Sequence, residues 1–361
     1  MASHPAMAPV IAGAGLAAVP IGEDVDFEET FADRIGKVGR LDRHEPDGSL
    51  EPAITADGGV VRLAAAMLDD LVAFGRHYRP DLLVWEPFNL AAAVAAAALG
   101  VPGVLALWGP DSSVTLRLDR ETVLGPLAHP FGLDAGDIGL TGALMLDPVP
   151  PPMQVPLAGP SRPIRYTPYN GPAVMPRWLH EPLDPQARPR VCVTAGTVAG
   201  PGLSERTELP EVIRAVAELD VEVVVLVAQA HRAVLGSLPG NVRVADAPLA
   251  LHLVLPTCAA MIQHGGAGTT MTALACGVPQ LILPQVSDEH FNGERLAVTG
   301  AGTWLDEPDS ATVRDTVGEL IGDGRWRESA MLIRERMQRM PTLATVVDTL
   351  AALATGEGAR R

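Results

Sequence analysis

Apolar residues fall along this chain in short blocks separated by longer amphipathic stretches. Four blocks read as buried strands: Leu82-Leu83-Val84-Trp85, Val101 to Leu107, Val191 to Thr194, and Val221 to Val227. They are rich in aliphatic and β-branched residues and too short for helices. Helical patterns run over Val60 to Tyr78, Leu90 to Leu99 and Leu209 to Leu219. Strand and helix alternating at this spacing predicts parallel α/β layers. A proline-rich passage from Pro148 to Pro189 interrupts the alternation. Such a run cannot enter a regular helix or a central strand, so it predicts a linker between two domains.

Length supports the division, because 361 residues exceed what one hydrophobic core usually organises. The expected domains are 1–165 and 190–361, joined by a linker at 166–189, with the last helix packing back on the first domain. The longest apolar run, from Leu90 to Leu107, contains Gly100, Pro102 and Gly103. It predicts helix, turn and strand, and no stable membrane insertion. Residues 1–15 lack the basic start and long apolar stretch of a secretion signal.

A net charge of -16 argues against a general nucleic-acid binder, since phosphate neutralisation needs a basic surface. An anionic ligand must therefore be held locally. Cys192, Cys258 and Cys276 have no paired spacing and do not form a disulfide framework, which favours a reducing cytoplasm.

The chemistry concentrates in "CAAMIQHGGAGTTMTALACGVP", from Cys258 to Pro279. An apolar strand is expected to end at Gln263, His264-Gly265-Gly266 to turn, and Ala267 to Cys276 to form a helix stopped by Gly277. Glycines let backbone approach an anion, and the helix start presents free amides and the positive end of its dipole. Thr269 and Thr270 offer hydroxyls, and His264 a donor to a phosphate oxygen or leaving group. The alternative is a tight connection with a solvent-facing histidine. One strand later, Asp288 and Glu289 stand where the next helix begins, placed to accept hydrogen bonds from sugar hydroxyls. Asp288 as a simple helix cap is the alternative there.

The segment from His264 to Gly302, "HGGAGTTMTALACGVPQLILPQVSDEHFNGERLAVTGAG", resembles the donor-binding signature of the glycosyltransferases that decorate actinobacterial polyketide antibiotics, a branch of the UDP-glycosyltransferase superfamily. "IRYTPYNGPAVMPRWL" (Ile164 to Leu179) and "VCVTAGT" (Val191 to Thr197) resemble the same family's interdomain entry and first donor-domain strand. The resemblance implies the GT-B architecture, two Rossmann-like domains facing a central cleft. It implies transfer of a deoxysugar from a nucleotide-diphosphate sugar, with TDP as the expected carrier, to an apolar aglycone with inversion. It asks for no cofactor and no metal. His264, Gly265, Gly266, Gly268 and Thr269 would cradle the diphosphate, with Gly196 and Thr197 closing over it. Ala247, Pro248 and Leu249 match the segment that reads the base, and Asp288 the sugar site. Where the family carries glutamine, this chain has Glu289, which accepts hydrogen bonds without donating them when ionised.

In the first half, Ala2 and Ser3 resemble the exit of a second strand, and the family's opening strand and base-bearing loop are not matched. A misplaced start, a truncation and an inactive form are all open readings of this. Among residues present, Asp111 in "LWGPDSS" is the candidate acid/base group, with capping of a helix over Ser112 to Leu118 as its alternative. Rival functions are a homologue that binds donor or partner without turnover, and a nucleotide-sugar epimerase. A homodimer is an open possibility.

Overall fold

The computed structural model describes residues 1–25, 54–56, 58–111, 118–180, 187–194, 209–228, 232–245, 249–285 and 287–356. The chain divides into two compact units, one of residues 1–148, 155–165 and 340–361, the other of 149–154 and 166–339.

The first unit opens with strand β1 (Ala2–Ser3), a short helix α1 (Ala8–Gly13) and strand β2 (Val19–Pro20). β1 and β2 pair in parallel as a two-stranded sheet of their own. Helix α2 (Gly59–Tyr78), β3 (Leu83–Trp85), α3 (Leu90–Leu99), β4 (Gly103–Ala106), α4 (Arg120–Ala128), β5 (Leu144–Asp147) and β6 (Ser161–Pro163) follow. β3 to β6 form a parallel sheet in chain order. Its core gathers Trp85, Leu105 and Met145 from the strands with Val72, Val94 and Leu124 from the helices. α3 is almost wholly Ala, Leu and Val, and it is buried along most of its length. Asn89 caps it by accepting from the Ala92 amide at 3.0 Å, and Gly100 ends it in the left-handed region.

The strand expected over Val101 to Leu107 is shorter at both ends. Pro102 has no amide to give a ladder, and only its carbonyl is used, accepting from Leu83 N at 3.0 Å. Ser161–Pro163 lies inside the proline-rich passage yet forms strand β6. It is an edge strand, where proline is tolerated because one side of the ladder is open. The helix expected over Ser112 to Leu118 falls almost wholly outside the described residues, as do Gly196, Thr197, Ala247 and Pro248.

The second unit runs β7 (Arg190–Thr194), α5 (Leu209–Ala217), β8 (Glu222–Leu226), β9 (Val242–Val244), α6 (Leu251–Val254), β10 (Ala260–Gln263), α7 (Ala267–Cys276), β11 (Gln280–Ile282), α8 (Ser287–Thr299), β12 (Gly302–Trp304), α9 (Ser310–Gly322) and α10 (Gly324–Arg339). Its six parallel strands have the order β12-β11-β10-β7-β8-β9. The chain winds outward in one direction from β7 and in the other from β10, so the order reverses between these two neighbours. In open parallel sheets that reversal opens a crevice beyond the carboxyl ends of the central strands, where ligands bind. The helix expected over Leu209 to Leu219 stops at Ala217, and Val221 N turns back to Leu219 O at 2.8 Å to start β8.

The last helix, α11 (Leu343–Ala354), belongs to the first unit, where Val346 packs with Val104, Leu146 and Ile164. Residues 149–154 group with the second unit, held by Arg295, whose guanidinium donates to the carbonyls of Pro152, Met153 and Gln154. No helix among the described residues is long and apolar enough to cross a membrane.

Candidate active site

At the reversal point β10 ends at Gln263, and the chain turns through His264 and Gly265 into Gly266, the residue before α7. Gly265 has φ 109°, a conformation side chains rarely adopt. A Cβ there would sit 2.8 Å from the Glu289 carbonyl oxygen, so glycine also allows α8 to approach. No side chain caps α7 at Gly266, and its first turn of intrahelical bonding begins with Thr270 N donating to Gly266 O at 3.0 Å. The amides of Ala267, Gly268 and Thr269 precede that bond and have no intrahelical acceptor. Gly268 is exposed and Gly266 half-buried, so this amide-rich, dipole-positive helix end is open to an anion.

The turn is braced by a buried polar network that sequence reasoning missed. Gln263 accepts from Gly265 N at 2.6 Å and donates to the Thr270 hydroxyl at 2.9 Å and to Gln280 Oε1 at 3.1 Å. Gln280 in turn donates to the Thr270 carbonyl at 3.2 Å, and Asn292 on α8 donates to the Gly265 carbonyl at 2.8 Å. These residues are almost completely buried. Interlocked amides of this kind fix one backbone geometry, because each unmade bond would leave a polar group in low dielectric. Thr270, expected to offer its hydroxyl to a ligand, instead spends it inside, donating to Gly266 O at 3.1 Å. It is fully buried, whereas Thr269 is half-buried.

His264 is also less exposed than a solvent-facing turn residue. Its side chain is 16% accessible, and burial pushes its pKa down from 6.5 to about 4. It is therefore a neutral imidazole at pH 7, able to donate a hydrogen bond but bringing no charge. Its Nε2 lies 3.9 Å from Glu289 Oε1, beyond hydrogen-bond range, and Nδ1 has no hydrogen-bond partner among the described residues.

Asp288 and Glu289 occupy the first turn of α8. The helix already begins at Ser287, so Asp288 is inside it and not its cap. Asp288 is half-buried, and burial raises its pKa, opposed by its own backbone amide and by His290. Glu289 is buried, with Oε2 accepting from Gln285 N at 2.7 Å. Leu249, half-buried, lies two residues before the short α6, whose N-cap is Ala250. Two residues from the "IRYTPYNG" stretch touch the same unit. Tyr166 Oη bonds Gly268 O and Thr272 Oγ1 of α7, each at 3.1 Å, and Asn170 Oδ1 accepts from His252 N at 3.2 Å.

In the first unit Asp111 follows β4 and is 1% exposed, engaged by the protein around it. Among the described residues, no group of three His, Cys, Asp or Glu side chains has the arrangement to hold a metal ion.

Comparison with known proteins gives this geometry a family. Residues 1–196 match the family described as Erythromycin biosynthesis protein CIII-like, N-terminal domain, and residues 210–353 match its C-terminal domain. The chain is 36% identical to the TDP-daunosamine transferase DnrS of Streptomyces peucetius, covering 98% of this chain and 89% of that protein. It is 34% identical to the 10-deoxymethynolide desosaminyltransferase of Streptomyces venezuelae, covering 98% and 90%. Among solved structures, the spinosyn forosaminyltransferase SpnP superposes with a TM-score of 0.77 at 32% identity, over 98% of this chain and 90% of that one. The glycosyltransferase VinC in complex with DTDP gives 0.77 at 31%, over 98% and 91%. An uncapped glycine turn at the reversal point of a parallel sheet, in a chain this similar throughout, makes the protein a GT-B glycosyltransferase of the erythromycin biosynthesis protein CIII-like family.

Proposed function

We propose that the protein moves a deoxysugar from a thymidine-diphosphate sugar to a hydroxyl of an apolar polyketide-type aglycone, with inversion at the anomeric carbon and without a metal or cofactor. The observation that carries this reading is the uncapped start of α7 beside the Gly265 turn. The amides of Ala267 to Thr269, with the Thr269 hydroxyl, hold the diphosphate. Their partial charge opposes the negative charge that grows on the leaving group as the glycosidic bond to phosphate breaks. Neutral His264 adds one hydrogen bond there. Asp288 and Glu289 accept from sugar hydroxyls, and Leu249 contacts the base. Gly196 and Thr197 match the family residues that contact the diphosphate. Relatives whose names specify daunosamine and desosamine transfer support an aminodeoxysugar as the first donor to try.

The test is twofold. Calorimetry with thymidine diphosphate should show one site per chain, and a TDP-deoxysugar should be consumed only when a hydroxylated anthraquinone or macrolactone is added. A chain that binds no thymidine diphosphate, or that converts the donor to a new nucleotide sugar without an acceptor, would overturn the reading.

A further inference from the structure

Tyr166 and Asn170 both belong to the second unit, and each is tied to one of the two short helices that carry the candidate donor segments. Tyr166 Oη lies 3.1 Å from Gly268 O and 3.1 Å from Thr272 Oγ1 on α7. The Thr272 hydroxyl donates to the same carbonyl at 2.7 Å, so phenol and hydroxyl converge on one oxygen. Gly268 O and Thr269 N are parts of a single planar peptide group. Fixing the oxygen therefore fixes the direction of the Thr269 N–H, one of the three amides at the open start of α7. A hydrogen bond at the carbonyl also polarises the peptide and makes that N–H a stronger donor. Burial raises the Tyr166 pKa above its ordinary 10.0, opposed by the Thr272 hydrogen bond and helped by Cys276, so the phenol keeps its proton.

Asn170 acts on the other helix. α6 is four residues long, too short to be stable by its own hydrogen bonds, and its N-cap residue, Ala250, offers no side-chain bond. Asn170 Oδ1 supplies the missing acceptor from outside, taking the His252 amide at 3.2 Å. His252 Nδ1 is 2.9 Å from the same oxygen. That oxygen has no proton to give, so Nδ1 is the donor. His252 stands three residues after Leu249, and Asn170 thus anchors the chain as it leaves the base-side segment.

We propose that Tyr166 and Asn170 are positioning residues of the donor site, Tyr166 for the diphosphate through the Gly268–Thr269 peptide and Asn170 for the base through the start of α6. This inference rests on the nucleotide-sugar reading above. Neither side chain needs to touch the donor. Pro168, between them, has its φ fixed by its ring, which helps hold the spacing of the two anchors.

The experiment compares wild type, Tyr166→Phe, Asn170→Ala and Asn170→Asp in the full chain, with thymidine diphosphate by calorimetry and thymidine by NMR titration. Tyr166→Phe keeps the ring and removes only the hydroxyl. It should weaken thymidine diphosphate about 3- to 10-fold, the worth of one hydrogen bond, and leave thymidine unchanged. Asn170→Ala should weaken both ligands by a similar factor, about 3- to 10-fold. Asn170→Asp keeps the accepting oxygen and should bind both within about twofold of wild type. A merely structural role would lower the melting temperature without separating the two ligands or being rescued by aspartate. Tyr166→Phe that weakens both ligands equally or neither, Asn170→Ala that binds thymidine like wild type, or Asn170→Asp as weak as Asn170→Ala would overturn the proposal alone. Wild type that binds neither ligand would overturn the functional reading with it.

Discussion

Asn292 on α8 donates a 2.8 Å hydrogen bond to the carbonyl of Gly265, which ties the phosphate-side turn to the helix that presents Asp288 and Glu289. The two halves of the proposed donor site are thus coupled through one buried amide. Asn292→Leu keeps the volume but leaves the Gly265 carbonyl unpaired, a cost of about 1–3 kcal/mol. The expected outcome is a lower melting temperature together with weaker thymidine diphosphate binding by calorimetry. Lower stability with unchanged affinity would show that the turn keeps its shape without this brace.

Gly265 is required twice, by its φ of 109° and by the nearness of Glu289. Gly265→Ala places a Cβ 2.8 Å from the Glu289 carbonyl oxygen, so backbone must shift on one side or the other. Strain of this kind costs about 1–3 kcal/mol. Donor affinity should drop at least as much as stability, because the displaced atoms border the anion site. A variant with wild-type affinity for thymidine diphosphate would remove the turn from the binding surface.

Much of this was legible in local sequence. The end of β10, the glycine turn and α7 follow from an apolar block, two adjacent glycines and a helix stopped by Gly277, and the structure ends the strand at Gln263 and forms the helix over Ala267–Cys276. What was not legible depends on burial and on partners far along the chain. Gln263, Gln280 and Asn292 read individually as ordinary polar residues, and only folding brings them within hydrogen-bond range. Thr270 and Thr269 are chemically identical in sequence, but one faces the core and the other does not. In sequence His264 reads as a turn residue open to either ligand or solvent, whereas α8 packs against this turn and the side chain is mostly buried.

Glu289 stands where the resemblance implies glutamine. In this chain its Oε2 accepts from Gln285 N at 2.7 Å, a bond an amide oxygen can also accept. Glu289→Gln should therefore keep the local fold while replacing an acceptor by a donor at the other terminal atom. The expected outcome is a melting temperature within a few degrees of wild type and a changed or broadened range of TDP-sugars used. Identical donor profiles would show that the position does not read the sugar.

His264 gives a pH test of its own. Burial holds its pKa near 4 in the folded protein, against 6.5 for the free side chain. Between those values the unfolded chain binds a proton that the folded chain refuses, so this residue makes stability fall as pH drops from about 6.5 to about 4. The full effect, reached near the lower limit, is about 3 kcal/mol from a shift of this size. His264→Gln keeps a hydrogen-bonding side chain without a titrating group, so it should lose that share of the acid sensitivity. Denaturant unfolding of both proteins at pH 7 and pH 5 measures it, with the wild type losing more stability than the variant. The same neutrality predicts that no limb of the rate profile between pH 5.5 and 8 comes from His264, which assists the leaving diphosphate as a neutral donor. Transfer by His264→Ala should still fall, by up to about 100-fold for one lost donor to developing charge, at every pH in that range. A His264 ring titrating near 6.5 by NMR, or equal acid sensitivity in the two proteins, would show that the imidazole is solvated and that its part in the site is electrostatic instead.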